Sequence, residues 1–232
     1  MRNRLAAAAM AAAFFVHAAG AQVPPTESEA ARYSGLHAAA HRGRVEPLQK
    51  ILKTGANVNA RDAYGRTPLH VATFARQREA IRVLARSGAD LGALENDRYD
   101  AVTIAAVAND EETLGVLLSL GASAKLVTSR YDGTALIAAA HLGHPGVVKQ
   151  LIAAGAPLDH VNNLHWTAMI EAVVLGDGGA RHQETLHALI AAGANPELAD
   201  RQGNTPLMLA RSRGYTQMVQ MLEGARASKK RA

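Results

Sequence analysis

A carboxylate, an arginine and two histidines gather in "IEAVVLGDGGARHQETLH" (170–187): Glu171, Arg181, His182 and His187. A glutamate near a histidine is the pairing of a general base and its orienting group. Glycines followed by an arginine can form an anion-holding nest, and two histidines can share a metal. The spacing weakens each reading. No nucleophile or third group accompanies Glu171 and His182. No strand precedes the glycines and no Gly-Lys-Ser/Thr follows them. His182 and His187 stand five apart, where two ligands on one helical face need four. Cysteine is absent, which excludes thiol catalysis, disulfides and cysteine metal sites.

The residues around this stretch repeat. "TGAN" (54–57), "SGAD" (87–90), "LGAS" (120–123), "AGAP" (154–157) and "AGAN" (192–195) share one phase, their glycines spaced 33, 33, 34 and 38 apart. A second marker keeps the same beat: Leu36, Leu69, Val102, Leu136, Met169 and Leu207. A fixed period of this length predicts a solenoid of stacked units, each too small to bury its apolar stripe alone. Within a unit, Thr67 is an N-cap, Pro68 opens a short alanine-rich helix, and a second helix ends at Gly88. The marker lies 19 residues before its glycine in four units and 24 before it in the fifth. The opening stretch is therefore read as an enlarged inter-helix loop at 176–183.

"TPLHVA" (67–72), with "GNTPLMLA" (203–210) and "GTALIAAAHLGH" (133–144), resembles the ankyrin repeat. The resemblance covers about residues 33–223, six units. It implies an all-α solenoid of helix-turn-helix repeats joined by hairpin-like turns, binding proteins on a concave surface of hairpin tips and inner helices. "WTAMIEAV", "LGDGG" and "RHQE" together resemble a group of exported bacterial ankyrin proteins, which implies an architectural or partner-binding loop. The third unit departs from the pattern with "YDAVTIA".

Export is also read at the N-terminus. Arg2 and Arg4, the apolar "LAAAAMAAAFFV" (5–16) and "AGA" (19–21) predict a signal peptide over 1–21, a linker over 22–32 and a soluble periplasmic protein without a membrane span. The repeat domain is expected over 33–224 and a frayed basic tail over 225–232. Six of the 25 cations sit at the two ends, leaving 19 against 20 acids. No basic stripe is expected in the body, hence no nucleic-acid partner. No cofactor is expected, and the chain reads as a monomer.

Tyr33, Tyr64, Tyr99, Tyr131 and Trp166 all fall in the turn before a first helix. Aromatics phased with the repeat predict a protein-binding surface formed by Tyr64, Tyr99, Tyr131 and Trp166 over a palm of Phe74, Val107, Leu142 and Val174, with Arg66 and Arg130 adding charge. The expected function is a non-enzymatic protein-interaction module of the cell envelope. The alternatives are a small-molecule, metal or catalytic site in the fifth unit and a secreted effector binding a host protein. Glu171 stands where the other units carry Ala38, Val71, Ile104, Ala138 and Leu209. A carboxylate at a buried position needs partners; loop N–H groups, Arg181 or His182 are expected to supply them. Arg78 and Glu111, in phase in neighbouring units, are expected to form an inter-repeat ion pair.

Overall fold

The computed structural model describes residues 22–229, so the expected signal peptide and the last three tail residues lie outside the described residues. Seven-residue inner helices alternate with longer outer ones: α2 (Gly35–His41) with α3 (Val45–Lys53), α4 (Pro68–Phe74) with α5 (Arg78–Arg86), and α6 (Ala101–Val107) with α7 (Glu111–Ser119). The series continues through α8 (Ala135–His141) and α9 (Pro145–Ala153), α10 (Ala168–Val174) and α11 (Ala180–Ala191), α12 (Pro206–Ser212) and α13 (Thr216–Lys229). Each inner helix packs on the next inner helix and each outer helix on the next outer one, giving a two-layer solenoid of six pairs. The only described strands are two-residue segments of one hairpin, β1 (Val127–Thr128) and β2 (Gly133–Thr134), paired Val127 to Thr134 and Thr128 to Gly133.

The sequence punctuation explains the helices. The side chains of Thr67, Asp100, Thr134, Thr167 and Thr205 each accept from the third backbone N–H of an inner helix, meeting a donor that the helix leaves free. Leu36, Leu69, Val102, Leu136, Met169 and Leu207 are all buried, with alanines between them where inner helices approach closely. Each leucine of this kind stabilises by about 1.5–3 kcal/mol relative to exposure.

Three boundaries differ from expectation. The 22–32 linker contains a helix, α1 (Glu27–Arg32), started by a reciprocal capping box between Thr26 and Glu29. The expected tail is helical as far as Lys229, with Arg226 Nε 2.6 Å from Glu197 Oε1. The fifth repeat's enlarged loop is shorter than 176–183. The turn spans 175–179 and α11 is a 12-residue helix where other outer helices from the first to the fourth repeat have nine. Most of the insertion lengthens the helix; its first turn carries Arg181 and His182.

Arg78 does pair across repeats, but with Asp110 (3.2 Å) and Glu112 (2.9 Å) instead of Glu111. Glu111 reaches the following repeat, where a Cβ on Gly146 would stand 1.9 Å from its Oε1. The missing side chain at Gly146 makes room for it.

Candidate partner-binding surface

Every hairpin from unit two to unit six is built on one side chain that accepts two backbone N–H groups, on a single oxygen in four of them and on the two carboxylate oxygens of Glu95 in the third unit. Asp62 Oδ1 holds Tyr64 and Arg66 (2.9 and 2.8 Å). Glu95 holds Asp97 and Tyr99, and Ser129 Oγ holds Tyr131 and Gly133. Asn162 Oδ1 holds Leu164 and Trp166, and Asp200 Oδ1 holds Gln202 and Asn204. Backbone bonds then join neighbouring hairpins: Asn96 N–H to Tyr64 O (3.0 Å), Ser129 N–H to Arg98 O (2.8 Å) and Asn163 N–H to Tyr131 O (2.9 Å). Arg61 extends this lacing by donating to Leu94 O (2.7 Å). The tips form a rigid comb.

This geometry sorts the turn aromatics into two sets. The second residue after the oxygen points outward: Tyr64 is 49% exposed, Tyr131 45% and Leu164 41%. The fourth residue turns in between hairpins: Arg66 is 2% exposed and Tyr99 8%, and Trp166 is half-buried. Tyr99 and Arg66 therefore present no surface to a partner, which corrects the expectation for both. Leu164 joins the surface instead. Its signal in the sequence is its phase with Tyr64 and Tyr131, five residues before the buried marker of its unit, which a pattern of aromatic residues alone does not show. Arg130 is exposed and donates to Asp97 Oδ1 of the preceding hairpin (2.7 Å). Phe74, Val107, Leu142 and Val174 are half-buried at the ends of their inner helices.

Arg66 holds the N-terminus together. Its Nε donates to Asp62 Oδ2 (2.8 Å), Nη2 reaches Glu29 Oε2 (3.4 Å) and Nη1 donates to Val23 O (3.3 Å). The guanidinium lies 4.3 Å from the Tyr64 ring centre, within cation–π range. Burial alone would raise the Asp62 carboxyl, but hydrogen bonds from Tyr33 and Arg66 outweigh it and hold it below its ordinary value.

The fifth-repeat cluster is not assembled as the spacing suggested. Glu171 is buried, 4% exposed, yet its carboxylate bonds neither Arg181 nor His182 nor the loop. His141 Nδ1 of the fourth repeat donates to its Oε2 (3.1 Å) and Asn162 Nδ2 of its own hairpin to its Oε1 (3.0 Å). Both oxygens are engaged. Glu171 links a hairpin to the neighbouring inner helix because the carboxylate sits on the hairpin side of α10, away from the loop that follows it. Arg181 and His182 have another task. Arg181 donates to Gly143 O (3.0 Å) and Leu142 O (2.8 Å), and His182 Nε2 donates to His141 O (3.1 Å). These carbonyls end α8, where a helix leaves acceptors unfilled and its dipole favours cations. The His182 ring lies where a Cβ on Gly143 would be, 2.9 Å away, so that position requires glycine. On the other side, Tyr215 Oη donates to Gly176 O (3.0 Å) and Arg213 Nη2 to Val174 O (2.9 Å), closing α10 in the same way. Among the described residues, no group of three or more His, Asp or Glu is placed to hold a metal.

Replacing Glu171 by leucine should cost about 1–3 kcal/mol in urea unfolding, chiefly from leaving the buried Asn162 amide without an acceptor. Arg181→Ala, which shares no bond with Glu171, should add its own loss to within about 0.5 kcal/mol in the double variant. A larger coupling between the two would mean that the carboxylate does reach the loop.

A two-layer stack of helix pairs with hairpins laced along one edge defines a repeat scaffold. Comparison with known proteins names it. One family model, "Ankyrin repeats (many copies)", matches residues 36–85 and 179–223, and another, "Ankyrin repeats (3 copies)", matches 102–200. An ankyrin repeat domain (ABAYE2397) from Acinetobacter baumannii AYE is 43% identical, with a TM-score of 0.78 over 82% of this chain and 96% of that one. The ankyrin repeat protein EF0377 is 30% identical, with a TM-score of 0.74 over 82% and 98%. The ankyrin repeat protein YahD of Escherichia coli (strain K12) is 40% identical over 100 residues, which span 43% of this chain and 50% of that protein. This chain belongs to the ankyrin-repeat family, whose repeats form protein–protein interaction modules. No helix among the described residues is long and apolar enough to cross a membrane.

Proposed function

We infer that this chain is a non-enzymatic, monomeric adaptor of the cell envelope. It binds a protein partner through the outward tips Tyr64, Tyr131 and Leu164, flanked by Trp166 and Arg130, and through the palm of Phe74, Val107, Leu142 and Val174. The observation that carries the reading is the comb: large apolar side chains stand exposed at 41–49% on turns laced to one another by backbone bonds. Rigid, pre-set aromatic contacts lose little freedom on binding. The N-terminal charge, apolar run and Ala-Gly-Ala pattern support export to the periplasm. A catalytic or ligand site around Glu171 finds less support, because both carboxylate oxygens are already engaged.

The test is a tagged Tyr64→Ala, Tyr131→Ala variant used in a pull-down from the host's own envelope fraction, read by mass spectrometry. The variant should fold as the parent does and recover a partner at least about tenfold less well, since truncated anchors of this kind cost about 2 kcal/mol or more. Unchanged recovery places the partner elsewhere. Fractionating periplasm from medium separates an envelope adaptor from a secreted effector.

A further inference from the structure

The near-neutral body conceals a division that its summed charge hides. Residues 33–88, the first two repeats, contain ten Lys and Arg against three Asp and Glu; residues 89–224 contain eight against fifteen. The expectation that the body holds no basic surface is therefore corrected for its N-terminal third. Of those ten cations, Arg42, Arg44, Lys50, Lys53, Arg61 and Arg86 have no carboxylate partner among the described residues. Four of the ten lie in two helical rows on the outer layer. Lys50 and Lys53 follow one face of α3 at a spacing of three, and Arg82 and Arg86 one face of α5 at a spacing of four. Arg82 is partly satisfied by Glu79 at 3.2 Å.

Between the two helices runs an open groove of about 430 Å³. Leu52, Ala56, Val58 and Val83 form its floor, and Lys53 and Arg86 stand on its two sides. It lies on the outer helices, away from the hairpin tips and the palm. We propose that this groove is a second docking site, taking an acidic protein segment that seats an apolar side chain on the floor and sets carboxylates against Lys53 and Arg86.

The chemistry of the surface selects that occupant. Unpaired cations on both walls repel a basic segment, leave a neutral one without a charge partner and attract an acidic one, and complementary charge of this kind steers association. A bilayer is a poorer fit. No large exposed apolar side chain lies on α3 or α5 to enter lipid, and the apolar atoms are recessed between cations. Nucleic acid is a poorer fit too, since no aromatic side chain lines the groove for a base to stack on.

The probe is a short fluorescein-labelled peptide rich in glutamate and carrying one leucine, titrated into the full chain and followed by anisotropy. Controls are the same peptide with serine for leucine, a lysine-for-glutamate peptide, phosphatidylglycerol vesicles and duplex DNA. The acidic leucine peptide should bind best, weaken as salt rises, and lose at least about tenfold in affinity to Lys53→Glu, Arg86→Glu. Both substituted residues are exposed, and circular dichroism checks that the fold survives. The milder Lys53→Gln, Arg86→Gln pair should give an intermediate loss. Tyr64→Ala, Tyr131→Ala should leave this binding unchanged, so failure here and failure of the hairpin-tip reading are separate results. Absence of peptide binding, binding indifferent to charge reversal, or tighter binding of vesicles or DNA overturns the proposal.

Discussion

An Arg66→Ala chain should lose about 3 kcal/mol of stability and release its first eleven described residues. Removing one member of a buried ion pair costs about 3–5 kcal/mol, because the partner stays behind uncompensated. Arg66 is 2% exposed and its acidic partners Asp62 and Glu29 are 11% and 19% exposed, so water reaches them in part and the lower end applies. The loss is directional. Val23 O is held to the first hairpin by this guanidinium, and Glu29 by it together with the Tyr64 side chain. Hydrogen exchange should therefore rise over residues 22–32 while the third to sixth repeats stay protected. Arg66→Lys should recover only a fraction, since a single ammonium cannot span the carboxylates and carbonyl that the planar fork reaches together. A loss below about 1 kcal/mol with 22–32 still protected would show that something else holds α1 in place.

Acidification should act through His70. Its Nδ1 accepts from Thr67 N–H (3.0 Å), a group that can only donate, so the proton sits on Nε2 and is given to Ala93 O (2.9 Å) and Tyr99 O (3.2 Å). Burial pushes its pKa down to about 4, despite the two carbonyls that favour the cation. Protonating Nδ1 would also set one donor against another. In the unfolded chain the ring takes its proton near pH 6.5. Its stabilising contribution is therefore complete above that pH and is lost as pH falls from about 6.5 to about 4, by about 1.4 kcal/mol per unit. The total is about 3–4 kcal/mol. His41 and His144, whose pKa values burial also lowers, act with the same sign. The His70 share is isolated by comparing the slopes of unfolding free energy against pH for the parent and His70→Gln. The variant should be less stable at neutrality and flatter by about one proton between pH 4 and 6.5. Parallel slopes would mean that His70 stays accessible to protons in the folded chain.

The period, the helix pairs and the buried leucines were legible because stacking imposes the same demand at the same place in every unit. What misled was chemistry read at one-residue resolution from a 33-residue beat. Tyr64 and Tyr99 both lie in turns, yet stand two and four residues after the hairpin oxygen, and that offset separates a surface side chain from a buried one. The oxygen itself was invisible as a pattern, being Asp62, Glu95, Ser129, Asn162 and Asp200 in turn. Glu171 shows its need for partners in the sequence, as a carboxylate at a position that is apolar in the other units. Nearness along the chain points to the loop, whereas His141 comes from 30 residues away, in the preceding unit. Arg181 and His182, expected as partners of Glu171, bind the end of another helix instead.

The bonds that finish a neighbour's inner helix are unevenly shared along the stack. The second and third units are joined by one, from Arg76 to Ala108 O, and the third and fourth by one, from His144 to Ala106 O. The fourth and fifth are joined by three, and the fifth and sixth by two. In a linear array, stability is a sum of weak unit terms and nearest-neighbour couplings, and order spreads from wherever coupling is strongest. The insertion in the fifth unit concentrates these helix-end bonds near the C-terminal half. Those bonds should favour nucleation at that junction, with order spreading towards the N-terminus and the first repeats melting earliest.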